Sequence, residues 1–208
     1  MKLIDLSQII NNQTPAYPGD TSPVITTAKG DGHTSSRLSS GFHVATHLDM
    51  PMHFTDDARF CADFPIDSFA GPGVLLDVRG ESPIGMKPHY DQLIQPGTIV
   101  LLYTGHDQYF NSDPDKYYKQ YPQITMEFAQ FLTDRRIKML GMDTCSPDYA
   151  PHDVHKLMFP ADIFMLENLT NLAALLDIGP FEVFALPLKV EAEASFARAF
   201  SRPTRQVQ

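Results

Sequence analysis

Apolar positions along this chain fall into two periods. Thr98-Ile99-Val100-Leu101-Leu102-Tyr103 is apolar almost throughout, the pattern of a strand buried on both faces, and it predicts a central strand. Val74 to Val78, Ile137 to Met142, residues 162–167 and Val183 to Leu188 predict further buried strands, and residues 2–7 a first one. Helical spacing takes over at Phe128, Phe131 and Leu132. Thr125 can cap that helix and Arg135-Arg136 suit its C-terminal end. Pro88 to Gln95 predicts a short helix, and Leu172, Leu175 and Leu176 another, stopped by Gly179-Pro180. Residues 22–42 are polar and predict a hairpin, 55–69 a loop with little helix, and Asp107 to Pro122, polar and tyrosine-rich, a surface excursion. Strands and helices alternate only in the second half. No repeat, low-complexity tract or linker interrupts the chain, so one α/β domain over residues 1–208 is expected.

Residues 43–54, His-Val-Ala-Thr-His-Leu-Asp-Met-Pro-Met-His-Phe, interrupt this apolar patterning. His43, His47, Asp49 and His53 are all odd-numbered, so an extended chain presents them on one face, with Val44, Leu48, Met50 and Met52 on the other. A helix would splay them, since ~100° per residue sets Asp49 about 160° from His47. A straight strand also fails. At ~3.3 Å per residue His43 and His47 would stand about 13 Å apart, too far for one ion with bonds near ~2.1 Å. The chain is therefore expected to bend near Ala45-Thr46 and to leave the sheet at Pro51. Such a bent segment is a candidate metal site.

The net charge of −9 and pI near 5.2 leave no basic stripe for a nucleic-acid backbone, and Arg198, Arg202 and Arg205 read as a solvated tail. Two distant cysteines, Cys61 and Cys145, make no disulfide or zinc-ribbon pattern. No apolar run reaches the ~20 residues of a membrane span, and Met-Lys-Leu-Ile-Asp-Leu-Ser lacks a signal-peptide core. A cytoplasmic protein with free thiols and no membrane or nucleic-acid partner is expected. No G-x-S-x-G elbow points to a serine triad.

The segment 43–54 resembles the H-x-G-T-H-x-D-x-P-x-H-F signature of the cyclase family of metal-dependent hydrolases, which includes kynurenine formamidases and isatin hydrolases. Ala45 stands where that signature has Gly, and if the position needs positive φ, Ala costs stability there. The family's second half, H-x(11)-E-G/N-L, is matched by His155 and Glu167-Asn168-Leu169, with His152 a nearby decoy. Asp143-Thr144-Cys145-Ser146 resembles D-T-P-S, with Cys145 read as an inert buried thiol. Tyr17, in Pro15-Ala16-Tyr17-Pro18-Gly19-Asp20, stands where the family places a substrate-facing aromatic. The resemblance implies a cyclase-like α/β fold of the swivelling β/β/α type, with a mixed sheet and flanking helices. It implies His43, His47, Asp49, His155 and Glu167 as metal ligands, for one or two Zn2+ or for Mn2+. It gives His53 the role of general acid and base, with metal-activated water as nucleophile. The implied activity is hydrolysis of a small-molecule C–N amide bond, arylformamidase-like. Lactam or lactone ring opening and a non-catalytic metal-binding protein are the alternatives. A homodimer or homotetramer is implied. His106, at the end of a strand, is either a pocket residue or a surface one, and Phe60, Phe64 and Phe69 either pack the core or line an interface or pocket.

Overall fold

The computed structural model describes residues 3–204, so Lys2 of the predicted first strand and Arg205 of the basic tail lie outside the described residues. In chain order the strands are β1 (Ile4–Asp5), β2 (Val24–Gly30), β3 (His33–Ser39), β4 (His47–Asp49), β5 (Ala70–Asp77), β6 (Ile99–Tyr103), β7 (Met139–Met142), β8 (Phe164–Glu167), β9 (Phe181–Pro187) and β10 (Ala194–Pro203). The α-helices are α1 (Tyr90–Leu93), α2 (Pro114–Lys119), α3 (Met126–Asp134) and α4 (Asp153–Met158). Strands β5, β6, β7 and β8 run parallel, while β4, β9 and β10 pair antiparallel with their neighbours. Because β10 pairs with both β4 and β9, the order β10-β4-β8-β7-β6-β5-β9 closes on itself as a seven-stranded barrel. Strand β1 is added on β10, and β2 and β3 form a separate exposed hairpin. This is the mixed α/β arrangement expected from the sequence.

The strands are apolar on both faces because each face has its own core. Ile99, Leu101, Met139, Leu166, Val183, Ala185 and Ala199 come together from around the ring and fill the barrel. Val100, Leu102, Leu140, Met142 and Met165 point the other way, onto Phe128 and Leu132 of α3 and Val154 and Met158 of α4. Thr125 caps α3 by accepting the Phe128 N–H at 3.2 Å. Gly141 is an inward position: a Cβ there would lie 2.5 Å from Leu101 Cδ2, so a larger residue would force the buried Leu101 side chain to move.

Three expectations need correction. Residues 194–203 are not part of a solvated tail but the longest strand, with Arg198 paired to Asp5 and Arg202 to Glu182. Its buried residues are Ala194, Ser195, Ala197, Ala199 and Ser201, too small to signal a strand yet suited to a crowded barrel. Residues 107–122 are a surface excursion only in part, exposed over 111–115 but anchored inward by their aromatic residues. Tyr117, Tyr118 and Tyr121 are buried and satisfy their hydroxyls on Asn168 Oδ1 and on the carbonyls of Pro15 and Asp148. His106 is neither pocket-lining nor exposed: it is buried, stacked on Tyr117, with Nε2 3.1 Å from the Tyr117 carbonyl. Phe69 is core and Phe64 packs edge-on against Phe164; Phe64 and Phe69 also border a separate surface groove beside Leu188.

Candidate metal centre

The 43–54 segment bends where its spacing requires. Ala45 adopts φ +53, the left-handed region, and the ring centroids of His43 and His47 come within 5.2 Å. Strand β4 then sends Leu48 into the barrel, leaving His47 and Asp49 on the outer face. Pro51 starts a single 3-10 turn, Pro51–His53, that brings His53 back to stack on His43 at 4.1 Å. Strand β8 lies beside β4 with Glu167 directly opposite His47. Helix α4, packed on the same outer face, adds His155, whose Nε2 is 3.5 Å from Glu167 Oε1. Six side chains named from the sequence thus meet at one place, and Tyr17 joins them on the wall of a cavity of about 210 Å³.

The polar bookkeeping here is incomplete in an informative way. His47 Nε2, Asp49 Oδ1 and Glu167 Oε1 are buried and make no hydrogen bond. Asp49 Oδ1 lies 2.9 Å from His43 Nδ1 and 3.3 Å from His47 Nε2, and Glu167 Oε2 lies 3.5 Å from His47 Nε2. Two ligands ~2.1 Å from one ion at a tetrahedral angle stand about 3.4 Å apart, which is the spacing found. Each buried orphan would cost about 1–3 kcal/mol without a partner. A divalent cation removes all three penalties at once, so this donor set fits one. The other ring nitrogens are already held: His47 Nδ1 donates to the Ala45 carbonyl at 2.8 Å, leaving Nε2 as the atom aimed at the carboxylates, and His155 Nδ1 lies 2.7 Å from Asp148 Oδ1.

Charges in the metal-free site follow from these contacts. Burial alone would lower His43, but Asp49 at contact overrides it and raises it to about 9; Asp148 and Glu167 do the same for His155, also to about 9. Burial raises Glu167, and the adjacent Asp49 adds to the effect. His53 moves the opposite way. Burial and the neighbouring histidines outweigh Asp49 and lower it to about 4, so its ring is neutral at pH 7 and able to accept a proton.

Asp148, Asn168 and His152 went unassigned in the sequence. Asp148 is buried between His155 and His152 and accepts the Val154 N–H at 2.7 Å. Asn168 donates to the same Ala45 carbonyl as His47 and accepts the Tyr117 hydroxyl, tying β8, the 45–46 bend and the tyrosine segment together. Only proximity in the fold distinguishes Asp148 from the other aspartates around it. Cys145 reaches the cavity wall, but burial keeps its thiol protonated.

Comparison with known proteins agrees with this frame. Residues 4–149 match the family model described as "Putative cyclase". The chain belongs to the cyclase family. A kynurenine formamidase of Bacillus mycoides (strain KBAB4) is 32% identical to this cyclase-family chain over 210 residues, covering 96% of it and 97% of the relative. A "predicted metal-dependent hydrolase" from Bacillus stearothermophilus superposes with a TM-score of 0.77 at 26% identity, covering 96% and 97% of the two chains. Isatin hydrolase A from Ralstonia solanacearum shares the fold, with a TM-score of 0.84 at 22% identity over 96% of this chain and 91% of its own.

Proposed function

We propose that this cyclase-family chain is a single-domain, metal-dependent hydrolase cleaving the C–N amide bond of a small aromatic amide, in the manner of an arylformamidase. The observation that carries the reading is the trio of orphaned buried atoms on His47, Asp49 and Glu167 beside a neutral His53. His43, His47, Asp49, His155 and Glu167 would hold the ion. Asp49 sits with His43 and His47, and Glu167 with His47 and His155, so the two carboxylates can serve two ions. Zinc suits this mixture of imidazole and carboxylate, and manganese is the competitor. Bound there, a divalent ion lowers the pKa of water toward ~7 and polarises a carbonyl.

The protein's own groups do the rest. His53 takes a proton from the attacking water as its oxygen adds to the acyl carbon. It returns that proton to nitrogen as the C–N bond breaks, so an N-formyl arylamine yields formate and the arylamine. Tyr17 and Tyr118, edge to face at 5.7 Å, wall the cavity with Phe54 and Tyr121. Its volume exceeds the ~150 Å³ that takes a benzene ring, so an aryl group fits. A cytoplasmic homodimer or homotetramer without membrane or nucleic-acid partners completes the reading. No helix among the described residues is long and apolar enough to cross a membrane. The exposed β2–β3 hairpin, with Val24 and Leu38 open to solvent, is a candidate for cover by a second copy.

The test is metal content and N-formylkynurenine turnover in wild type and His53→Ala. The expected result is metal retained in both, with the variant slower by about 10²–10⁴-fold. Metal lost from the variant would make His53 a ligand. Turnover confined to lactams or lactones would move the substrate to a ring-opened class. Metal bound with no turnover of any acyl substrate would leave a metal-binding protein.

A further inference from the structure

The cavity holds a fifth imidazole that the ligand set and the acid–base step leave unused. His152 precedes α4 with φ +63, and its side chain is 26% exposed, on the cavity wall. Two contacts fix its ring. Nδ1 lies 3.2 Å from Asp148 Oδ1, and the ring leans on Phe54 with centroids 4.7 Å apart. Phe54 in turn touches His53 at 4.3 Å, so His53 and His152 flank one aromatic ring. His152 stands beside His155, with centroids 5.5 Å apart, on the wall of the cavity that His43, His47, Asp49, His53, His155 and Glu167 also line.

The chemistry of that ring follows from its anchor. A carboxylate oxygen can only accept, so Nδ1 carries the hydrogen, and in the neutral imidazole Nε2 is then a lone pair. Nε2 has no hydrogen-bond partner among the described residues. The group offered to a ligand is therefore an acceptor, one ring from the ion site. A secondary amide carries an N–H donor on the atom next to its carbonyl carbon; an ester or a tertiary amide carries none.

We propose that His152 is a specificity-determining residue that accepts the N–H of a secondary amide substrate through Nε2, selecting secondary amides over tertiary amides and esters with the same acyl group. This rests on the hydrolase reading above and narrows its substrate class. No Lys or Arg lines the cavity among the described residues, whereas Asp20, Asp49 and Glu167 do, which further favours a neutral donor over an anionic group at this wall.

The experiment compares kcat/KM for formanilide, N-methylformanilide and phenyl formate in the metal-loaded wild type, His152→Phe and His152→Gln, with metal content measured for each. Phe keeps the packing on Phe54 without an acceptor, and Gln keeps an acceptor. The expected result is full metal in all three proteins, with formanilide about tenfold slower in His152→Phe. The other two substrates should be unchanged there, and His152→Gln should recover part of the loss. An equal fall on all three substrates, no fall on any, or loss of metal from His152→Phe would overturn the proposal while leaving the hydrolase standing. A metal-loaded wild type inactive on all three would sink the arylformamidase reading, and this proposal with it.

Discussion

Replacing Asp148 by Asn tests whether the buried carboxylate behind His155 sets the metal affinity of the site. Asp148 is 5% exposed and uses both oxygens: Oδ1 faces His155 Nδ1 at 2.7 Å and His152 Nδ1 at 3.2 Å, and Oδ2 accepts the Val154 N–H at 2.7 Å. An amide has one acceptor oxygen. If it faces the imidazoles, its NH2 meets the Val154 N–H and leaves a buried donor orphaned. If it faces Val154, the NH2 meets His155 Nδ1–H. The ring must then take the other tautomer, placing a hydrogen on Nε2, the atom aimed at Glu167. Either arrangement weakens the hold on His155, and loss of such an outer partner typically reduces metal affinity about 10–100-fold, or about 1.4–2.7 kcal/mol. The assay is competition of Zn2+ against a chromophoric chelator. Asp143→Asn serves as control, because Asp143 is equally buried but accepts from Thr104 and Gly105, away from the cavity. Asp148→Asn should bind zinc at least tenfold more weakly than both wild type and the control. Affinity within twofold of wild type, or an equal loss in Asp143→Asn, would refute the reasoning.

Two further outcomes follow from the site's charges and backbone. His43 and His155, raised from 6.5 to about 9 in the metal-free protein, are protonated at neutral pH and, as the proposed ligands, would each release a proton on binding an ion. Zinc affinity should therefore climb from pH 6.5 to about 9, with two or more protons released at pH 7.5 when calorimetry is repeated in buffers of different ionisation enthalpy, since the neighbouring carboxylates raise His47 as well. The same raised values stabilise the metal-free fold most below pH 6.5, and that contribution fades as pH rises through about 9. An affinity flat across this range would exclude protonated ligands. Ala45→Gly should leave stability within about 1 kcal/mol of wild type. Relief of the left-handed φ gains about 1–2 kcal/mol, while the lost buried methyl and the added chain entropy cost about 0.8 and about 0.5–1 kcal/mol. A denaturant-derived loss above about 2 kcal/mol would show that the methyl, packed with Val44 and Tyr117, matters more than the strain.

Legibility in this chain depended on side-chain size and on contiguity. Strands β6, β7 and β8 could be read because both faces are lined by Ile, Leu, Val, Met and Phe. Strand β10 closes the barrel, yet it could not be read, because the crowded interior admits only Ala and Ser from it. Tyrosines 117, 118 and 121 counted as polar along the sequence but are buried by their rings, with each hydroxyl satisfied inside. His43, His47, Asp49 and His53 are legible because they share one short segment, and metal–ligand bond lengths alone require the bend that unites them.

The parts of the site that escaped the sequence are those whose meaning is set by a partner that only the fold brings into contact. Asp148 acquires its role from His155 across the N-terminus of α4, and Asn168 acquires its own from Ala45, 123 residues away. His152 read as a decoy because spacing ranks candidates for one role at a time, and His155 filled that role. In the fold the two histidines share one carboxylate oxygen and lean on one phenylalanine ring. The contact that orients the proposed ligand His155 thus also anchors His152 at the cavity wall, and Asp148→Asn should loosen both. If zinc affinity falls in that variant while the preference for formanilide over phenyl formate persists, the two histidines are not held as a unit, and the specificity assigned to His152 has another source.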